Sequence, residues 1–493
     1  MASRLLHNWL SCLGLGFVLL GVAGTVFFAA FDHYATGSNP YWGIFAWVLF
    51  PAIMLFGGLL MALGWSRERK RRRSGGETSI GALPVLDLNR TGDRRGFLIA
   101  LGLLALFVPL SAVGSYHAYE ISESVSFCGA TCHTSMSPEH LAFKESTHSA
   151  VRCVDCHVGP GPSGFVHAKA SGVSRMWAAM TNSFDRPIPS PLQSLPHSGG
   201  TCSTCHSTDR LIGQKLKTYA HYAYDEQNTP RQIDMVLNVG GRLPGGGTVG
   251  IHAHQGKKIE FAYLDASFQV IPWVQVTNPD GKTTEYRIED PKITKEQADQ
   301  APRRIMDCVD CHNRVGHNFE TPDSAVNTSM LHGRLDASLP FLKKQSIDLL
   351  GRTYASSQEA EGAISRDLEA FYATTYPDVK SKQGAQITAA AAELQRLYRV
   401  NVFPEMKASW ETFPNNIGHF YSPGCYRCHG GNMKSADGKV IPKACQTCHS
   451  VSAQSEGKAS PRLMGKDFVH PLDMGDLKDA ICTDCHTGKG IPQ

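Results

Sequence analysis

Hydrophobic positions gather first into three long runs without a charge, Trp9–Phe31, Gly43–Trp65 and Gly96–Tyr116. Each has 21 to 23 residues, enough for a helix to cross about 30 Å of hydrocarbon. Pro51 and Pro109 interrupt the second and third, which transmembrane helices tolerate. Trp9, Trp42, Trp65 and Tyr116 stand at the ends, where amphipathic rings sit among headgroups. The pattern predicts a three-helix membrane anchor over residues 1–117. The first run is longer than the apolar core of a cleaved signal peptide and is read as an anchor.

Past the anchor the period changes. Ile259–Leu264, Phe268–Thr277 and Lys282–Glu289 are rich in β-branched and aromatic residues. The turn sequence Asn278-Pro279-Asp280-Gly281 separates the last two and predicts a hairpin. A small antiparallel β insertion is therefore expected within 211–300. Helical periods follow over Ser338–Gly351, Ser357–Tyr376 and Thr388–Val400, with Ser338 as an N-cap and Pro340 in the first turn. The remainder reads as Gly-, Pro- and Ser-rich loop.

Charge assigns the sides. The connection after the second run, 66–95, carries Arg67, Arg69, Lys70, Arg71, Arg72, Arg73, Arg90, Arg94 and Arg95, whereas the one after the first carries only Asp32. The positive-inside rule puts the basic loop in the cytoplasm and everything after about His117 outside it. A topology signal explains the basic run more simply than binding of anionic lipid does. Residues 1–115 hold 10 basic and 5 acidic side chains, and 116–493 hold 38 and 39. The formal charge of +4 is thus local to the anchor, and no concentrated basic face marks a nucleic-acid partner.

Cysteine supplies the chemistry. Fourteen of the fifteen form seven pairs, each followed at once by histidine. Six read C-x-x-C-H: Cys153/Cys156/His157, Cys202/Cys205/His206, Cys308/Cys311/His312, Cys425/Cys428/His429, Cys445/Cys448/His449 and Cys482/Cys485/His486. The first, Cys128/Cys132/His133, has one extra residue. Two thiols at this spacing reach the two vinyl groups on one porphyrin edge, and the adjacent histidine becomes the proximal iron ligand. Zinc, the rival for C-x-x-C, gives no reason for the invariable histidine. Seven covalent c-type haems are expected, matured outside the cytoplasm. Cys12 is left as a small apolar residue of the first span.

Seven irons need seven further ligands. Beyond the seven proximal histidines and the anchor's His7 and His33, twelve histidines remain. Bis-histidine irons are closed to substrate and suit electron transfer. His148, His254, His317, His419 and His470 are the expected distal ligands. The fold class expected is mainly α: three N-terminal transmembrane helices and a multihaem domain outside the cytoplasm. That domain should have low regular secondary structure and the β insertion. Its haem motifs bound 118–210 (first three) and 301–493 (last four).

Ser124-Val-Ser-Phe-Cys128, Cys132-His133, Met136, Ser146-Thr-His148 and Cys153-Val-Asp-Cys156-His157 together resemble the NapC/NirT family of membrane-anchored quinol dehydrogenases. The resemblance covers about residues 96–206. Three further stretches make the chain similar to seven-haem inner-membrane cytochromes of the ImcH type: Met306-Asp-Cys308-Val-Asp-Cys311-His312-Asn313-Arg314, Asn401-Val-Phe-Pro-Glu-Met406 and Pro414-Asn-Asn-Ile-Gly-His419. The family implies a quinol site beside the first haem, with Met136 as its axial ligand and Lys169 in the pocket. The family's pocket aspartate has no counterpart here, and two spans precede the usual single anchor. The expected activity is quinol:cytochrome c oxidoreduction in the bacterial inner membrane, haem domain facing the periplasm. The implied partners are the membrane (mena)quinone pool and periplasmic c-type cytochromes, serving anaerobic or extracellular respiration. The sequence is also compatible with a homo-oligomer. The rival readings are a non-enzymatic electron conduit and a terminal reductase of a small nitrogen or oxyanion substrate.

Overall fold

A computed structural model describes residues 9–34, 49–73, 87–131, 133–158, 161–190, 198–207, 212–242, 248–457, 461–463, 468, 470 and 481–489. The chain divides into two units at Phe127/Cys128. About half of the described chain is helical, more than its loop-like composition suggested.

In the first unit, helices Trp9–Tyr34 and Phe50–Arg73 pack against each other. A methyl group on Gly14 would lie 2.6 Å from the Gly57 carbonyl oxygen, and one on Gly57 2.5 Å from that of Gly14. Only glycine permits this backbone approach, a packing mode common between membrane helices. Leu10, Phe56 and Leu60 fill the seam, and Phe17 meets Phe56 edge-on at 5.7 Å. Leu19, Leu20, Val26 and Phe27 face outward, as a lipid-facing surface requires. The second helix runs on through the basic residues to Arg73, so part of the expected loop is helix.

Among the described residues, two helices are long and apolar enough to cross a membrane, over Trp9–Phe28 and Phe50–Lys70. Three were expected. The third run lies within the 33-residue helix Thr91–Glu123, many of whose side chains lie outside the described residues.

The second unit holds two larger antiparallel sheets. One has the order Gln214–Tyr222, Pro230–Asn238, His449–Glu456, Arg462–Leu463. The other runs Met433–Lys434, Thr283–Ile288, Trp273–Thr277, Lys258–Ala262, Arg303–Ile305. The expected hairpin is present, with Thr277 opposite Thr283 across the Asn278–Gly281 turn. Strands from beyond residue 300 complete both sheets, so the β structure is not a self-contained insertion. The Gln214–Tyr222/Pro230–Asn238 hairpin was not anticipated. Nor was the helix Gly161–Met180, where Gly161, Pro162, Ser163 and Gly164 read as loop. Pro162 fits a first turn, and the Ala-rich remainder propagates the helix.

Helices Pro322–Leu331, Leu342–Leu350, Ser357–Thr375 and Gly384–Asn401 enclose an apolar core of Val326, Leu339, Leu342, Ile364, Leu368, Tyr372, Ile387 and Leu394. The first helix expected after the sheet starts at Leu342, four residues later than read. Asn228 is the reason. It is fully buried, its Nδ2 donates to the Ala337 and Leu339 carbonyls, and its Oδ1 accepts from the Lys343 amide at 2.8 Å. A cap supplied from 115 positions away replaces the local Ser338 cap.

Lys343 is fully buried, with Nζ 2.6 Å from the Asp323 carboxylate and 2.7 Å from Asn327 Oδ1. Burial acts to raise the Asp323 carboxyl, but Lys343 and His221 outweigh it and hold the group at about 2. Burial pushes the nearby His221 imidazole down to about 4, against the pull of Asp323. The unfolded chain protonates this histidine near pH 6.5 and the folded chain only near pH 4. Its contribution to stability is therefore complete above pH 6.5 and declines as pH falls to 4. The urea midpoint is expected to drop between pH 7 and 4.5, and to drop less in His221→Gln. Equal slopes would remove His221 as the cause.

Candidate haem centres

Each complete described motif is about one helical turn. The histidine amide donates to the carbonyl of the first cysteine at 2.7 Å in Cys202–His206, 2.8 Å in Cys308–His312 and Cys482–His486, and 2.9 Å in Cys425–His429. Acidic side chains cap several turns: Asp155 accepts from the Arg152 amide, Asp310 from the Asp307 amide, and Asp484 from the Ile481 amide. The turn fixes both thiols relative to the imidazole. The longer first motif differs in backbone: Phe127–Thr131 forms a π turn, which takes up one more residue than an α turn. Cys132 lies outside the described residues, as does the His133 side chain. Among the described residues, no three His, Cys, Asp or Glu side chains converge on a metal-sized site.

The described thiols are all free of disulfides, as covalent haem attachment needs. In five motifs the two thiols are not equally placed. Cys156, Cys205, Cys308, Cys445 and Cys485 are exposed, and the cysteine paired with each is partly buried. The seventh motif shows why. In its 3₁₀ turn Cys482–Asp484 the Cys485 amide donates to the Cys482 carbonyl at 3.3 Å. Cys482 is turned inward, 3.9 Å from His419 Nδ1, and Cys485 outward.

The histidines do converge, in pairs. His148 faces His206 with ring centroids 6.0 Å apart, and His317 faces His157 at 6.0 Å. His252 faces His312 at 6.2 Å and His254 faces His429 at 5.9 Å. His419 faces His449 at 6.0 Å and His470 faces His486 at 6.4 Å. An iron bound at about 2.0 Å by each of two imidazole nitrogens separates their ring centroids by about 6.3 Å. Each pair joins one motif histidine to one from elsewhere in the chain.

Second partners set the ring orientation. His317 Nδ1 donates to the Glu139 carbonyl at 2.9 Å, His254 Nδ1 to that of Ile251 at 2.8 Å, and His252 Nδ1 to that of Val239 at 3.0 Å. His429 Nδ1 donates to the Pro442 carbonyl at 2.7 Å. A carbonyl only accepts, so Nδ1 carries the proton and Nε2 presents its lone pair, the form a metal binds. Burial lowers the pKa of His157, His254, His312, His419, His449 and His486, and holds His317 at about 4. The rings are thereby kept neutral.

Thiols respond to one another. Cys153 is raised chiefly by a hydrogen bond shared with Cys128. Burial raises Cys156, Cys202, Cys448 and Cys482, and lifts Cys311 to about 11 and Cys428 to about 12. In each of these six, a thiol from a neighbouring motif raises it further.

Arg314, three residues after Cys311, is also informative. It is only 6% exposed, lies 4.7 Å from the Phe319 ring and 4.9 Å from that of Phe413, and among the described residues its Nε and Nη2 have no hydrogen-bond partner. Buried donors of this kind call for an acceptor, and a haem propionate beside the motif would supply one. The donor set and the ring spacings both fit haem.

His252 was not among the expected ligands. Its signal was the His252-Ala-His254 spacing: in the 3₁₀ turn Ile251–Gly256, residues two apart cannot share a face, so each serves a different motif. Gly250 sets this turn, with φ +67° and a hypothetical Cβ 2.5 Å from the Asn238 carbonyl. His140 packs on Gly129 of the first motif, where a Cβ would come within 2.5 Å of the ring. His117 instead lies 3.5 Å from Glu120, and His167 and His332 are exposed. His197 lies outside the described residues. Met136 sits in the helix His133–Glu145 and Lys169 in Gly161–Met180. The latter helix brings Arg175 within electrostatic reach of His157.

Residues 92–188 match the NapC/NirT cytochrome c family, N-terminal region, and 419–490 match cytochrome c3. The chain is 36% identical to the cytochrome c-type protein ImcH of Geobacter sulfurreducens over 482 residues, spanning 98% of this chain and 95% of that one. No solved structure matches. With apolar N-terminal helices ahead of motifs that suit covalent haem, and likeness along nearly its whole length, the chain belongs to the ImcH-type membrane cytochromes c of the NapC/NirT family.

Proposed function

We propose that this protein oxidises membrane quinol, menaquinol in the first instance, and delivers the electrons through seven c-type haems to periplasmic cytochromes. The observation that supports this best is the set of six imidazole pairs at iron-spanning distance. Six closed sites suit transfer of electrons and leave no coordination position for a substrate. Haem iron supplies reversible one-electron uptake and release. The seven cysteine pairs, from Cys128/Cys132 to Cys482/Cys485, hold the rings covalently. His133, His157, His206, His312, His429, His449 and His486 are the proximal ligands. His317, His148, His252, His254, His419 and His470 would close the second to seventh sites, in that order.

The quinol binds near the first motif on the periplasmic side of the inner membrane. Lys169, half-buried on its helix, hydrogen-bonds a quinol oxygen and favours the charge that develops as the hydroxyl loses its proton. Met136, whose thioether is a soft donor, would help to hold the first haem. One quinol yields two electrons and two protons. The protons leave to the periplasm, and the electrons pass singly to two one-electron acceptors.

Titration of the purified full-length protein with a menaquinol analogue should reduce the haems, followed at the α-band; no reduction would sink the proposal. Lys169→Ala should lose at least 10-fold in the rate of that reduction, about 1.4 kcal/mol of barrier, at unchanged haem content. A wild-type rate would remove Lys169 from the quinol site.

A further inference from the structure

We propose that motifs one to five form an unbranched file in chain order and that motifs five, six and seven gather around His419, making the fourth motif an obligatory crossing and the sixth a dispensable one. This rests on the electron-transfer reading above and adds the route.

Contacts between motifs trace the file. The Cys128 and Cys153 thiols share a hydrogen bond, joining the first motif to the second. His148, just ahead of the second motif in the chain, faces His206 of the third with ring centroids 6.0 Å apart. The turn Ser198–Thr201, which leads into the third motif, packs on the helix Cys308–Cys311 of the fourth. In the fourth and fifth, Arg427 Nη2 donates to the Asp310 carbonyl at 2.6 Å, linking the interiors of two C-x-x-C turns.

Beyond the fifth motif the pattern changes. The Tyr426 ring stacks on His419 with centroids 4.2 Å apart and planes 3° from parallel. His419 itself pairs with His449 of the sixth motif. Its Nδ1 lies 3.9 Å from Cys482 Sγ of the seventh. One imidazole therefore faces groups from three motifs. Tyr426 stands inside the fifth motif and stacks on the same ring that Cys482 approaches, so a single imidazole separates the fifth motif from the seventh. Electron transfer weakens steeply with separation, and these approaches fix which crossings can be fast.

Two variants of the full chain test the route: Cys308→Ser/Cys311→Ser and Cys445→Ser/Cys448→Ser. Pyridine haemochrome assay and mediator-equilibrated titration should return six haems in each. Menaquinol analogue without mediators should then rapidly reduce three haems in the first variant and all six in the second. Rapid reduction of all six in the first, or arrest at five in the second, overturns the proposal. If quinol reduces nothing in the wild type, the quinol reading fails while the route stays open to a structural test. His252→Ala keeps the covalent attachment and marks the fourth site as high-spin. Electron paramagnetic resonance should then show enhanced relaxation at two neighbouring sites. Enhancement at none, or at more than two, overturns the file, and this arm also serves if a serine variant fails to accumulate.

Discussion

His252→Ala is expected to convert one haem from low-spin to high-spin without loss of covalent haem. His252 faces His312 with planes 2° from parallel, and its Nδ1 is anchored on the Val239 carbonyl. Alanine removes the Nε2 donor and offers nothing in its place, so the iron loses its sixth ligand. His254→Ala should have a separate and additive effect, because His254 faces His429. His332→Ala, at an exposed position, is the control and should leave the spectrum unchanged. An unaltered low-spin spectrum in His252→Ala would strike His252 from the ligands.

Lys343→Met should cost about 3–5 kcal/mol of stability, because removing one partner strands a buried charge. The Asp323 carboxylate is only 2% exposed. It would keep its hydrogen bonds from Tyr224, at 2.8 Å, and from Tyr421, but lose its cation. The amide of Asn327 would also lose the ammonium that its oxygen now receives. Chemical unfolding of the detergent-solubilised protein, followed by far-ultraviolet circular dichroism, measures the loss. Asp323→Asn/Lys343→Met should recover part of it, since no charge is then stranded. A loss below about 1 kcal/mol in the single variant would mean that water reaches the site.

The haem motifs were legible because attachment chemistry fixes their spacing within one turn. The unequal exposure of their thiols, as between Cys482 and Cys485, was not, because it depends on what packs against each turn. The hairpin about Asn278–Gly281 and the helix Ser357–Thr375 were legible because their signals are local: a turn sequence, and apolar positions at helical spacing. What escaped notice depended on distant partners. The start at Leu342 is set by Asn228, and the strand His449–Glu456 exists because it pairs with Pro230–Asn238. His252 was passed over because a count of spare histidines carries no geometry. Its role becomes visible only when the Gly240–Gly250 approach brings the turn beside the fourth motif. The wide first motif looked anomalous as a string of letters. The π turn over Phe127–Thr131 makes its extra residue a matter of backbone winding.

The apolar helical core of 322–401 lies between the fourth and fifth motifs and contains no haem cysteine. Within it Ser357–Thr375 packs on Gly384–Asn401 and Pro322–Leu331 on Leu342–Leu350, pairs close in the chain of the kind that form fast. In chain order this stretch follows four of the cysteine pairs and precedes three. Synthesis runs from the N-terminus, so this core can condense before the last three cysteine pairs are made.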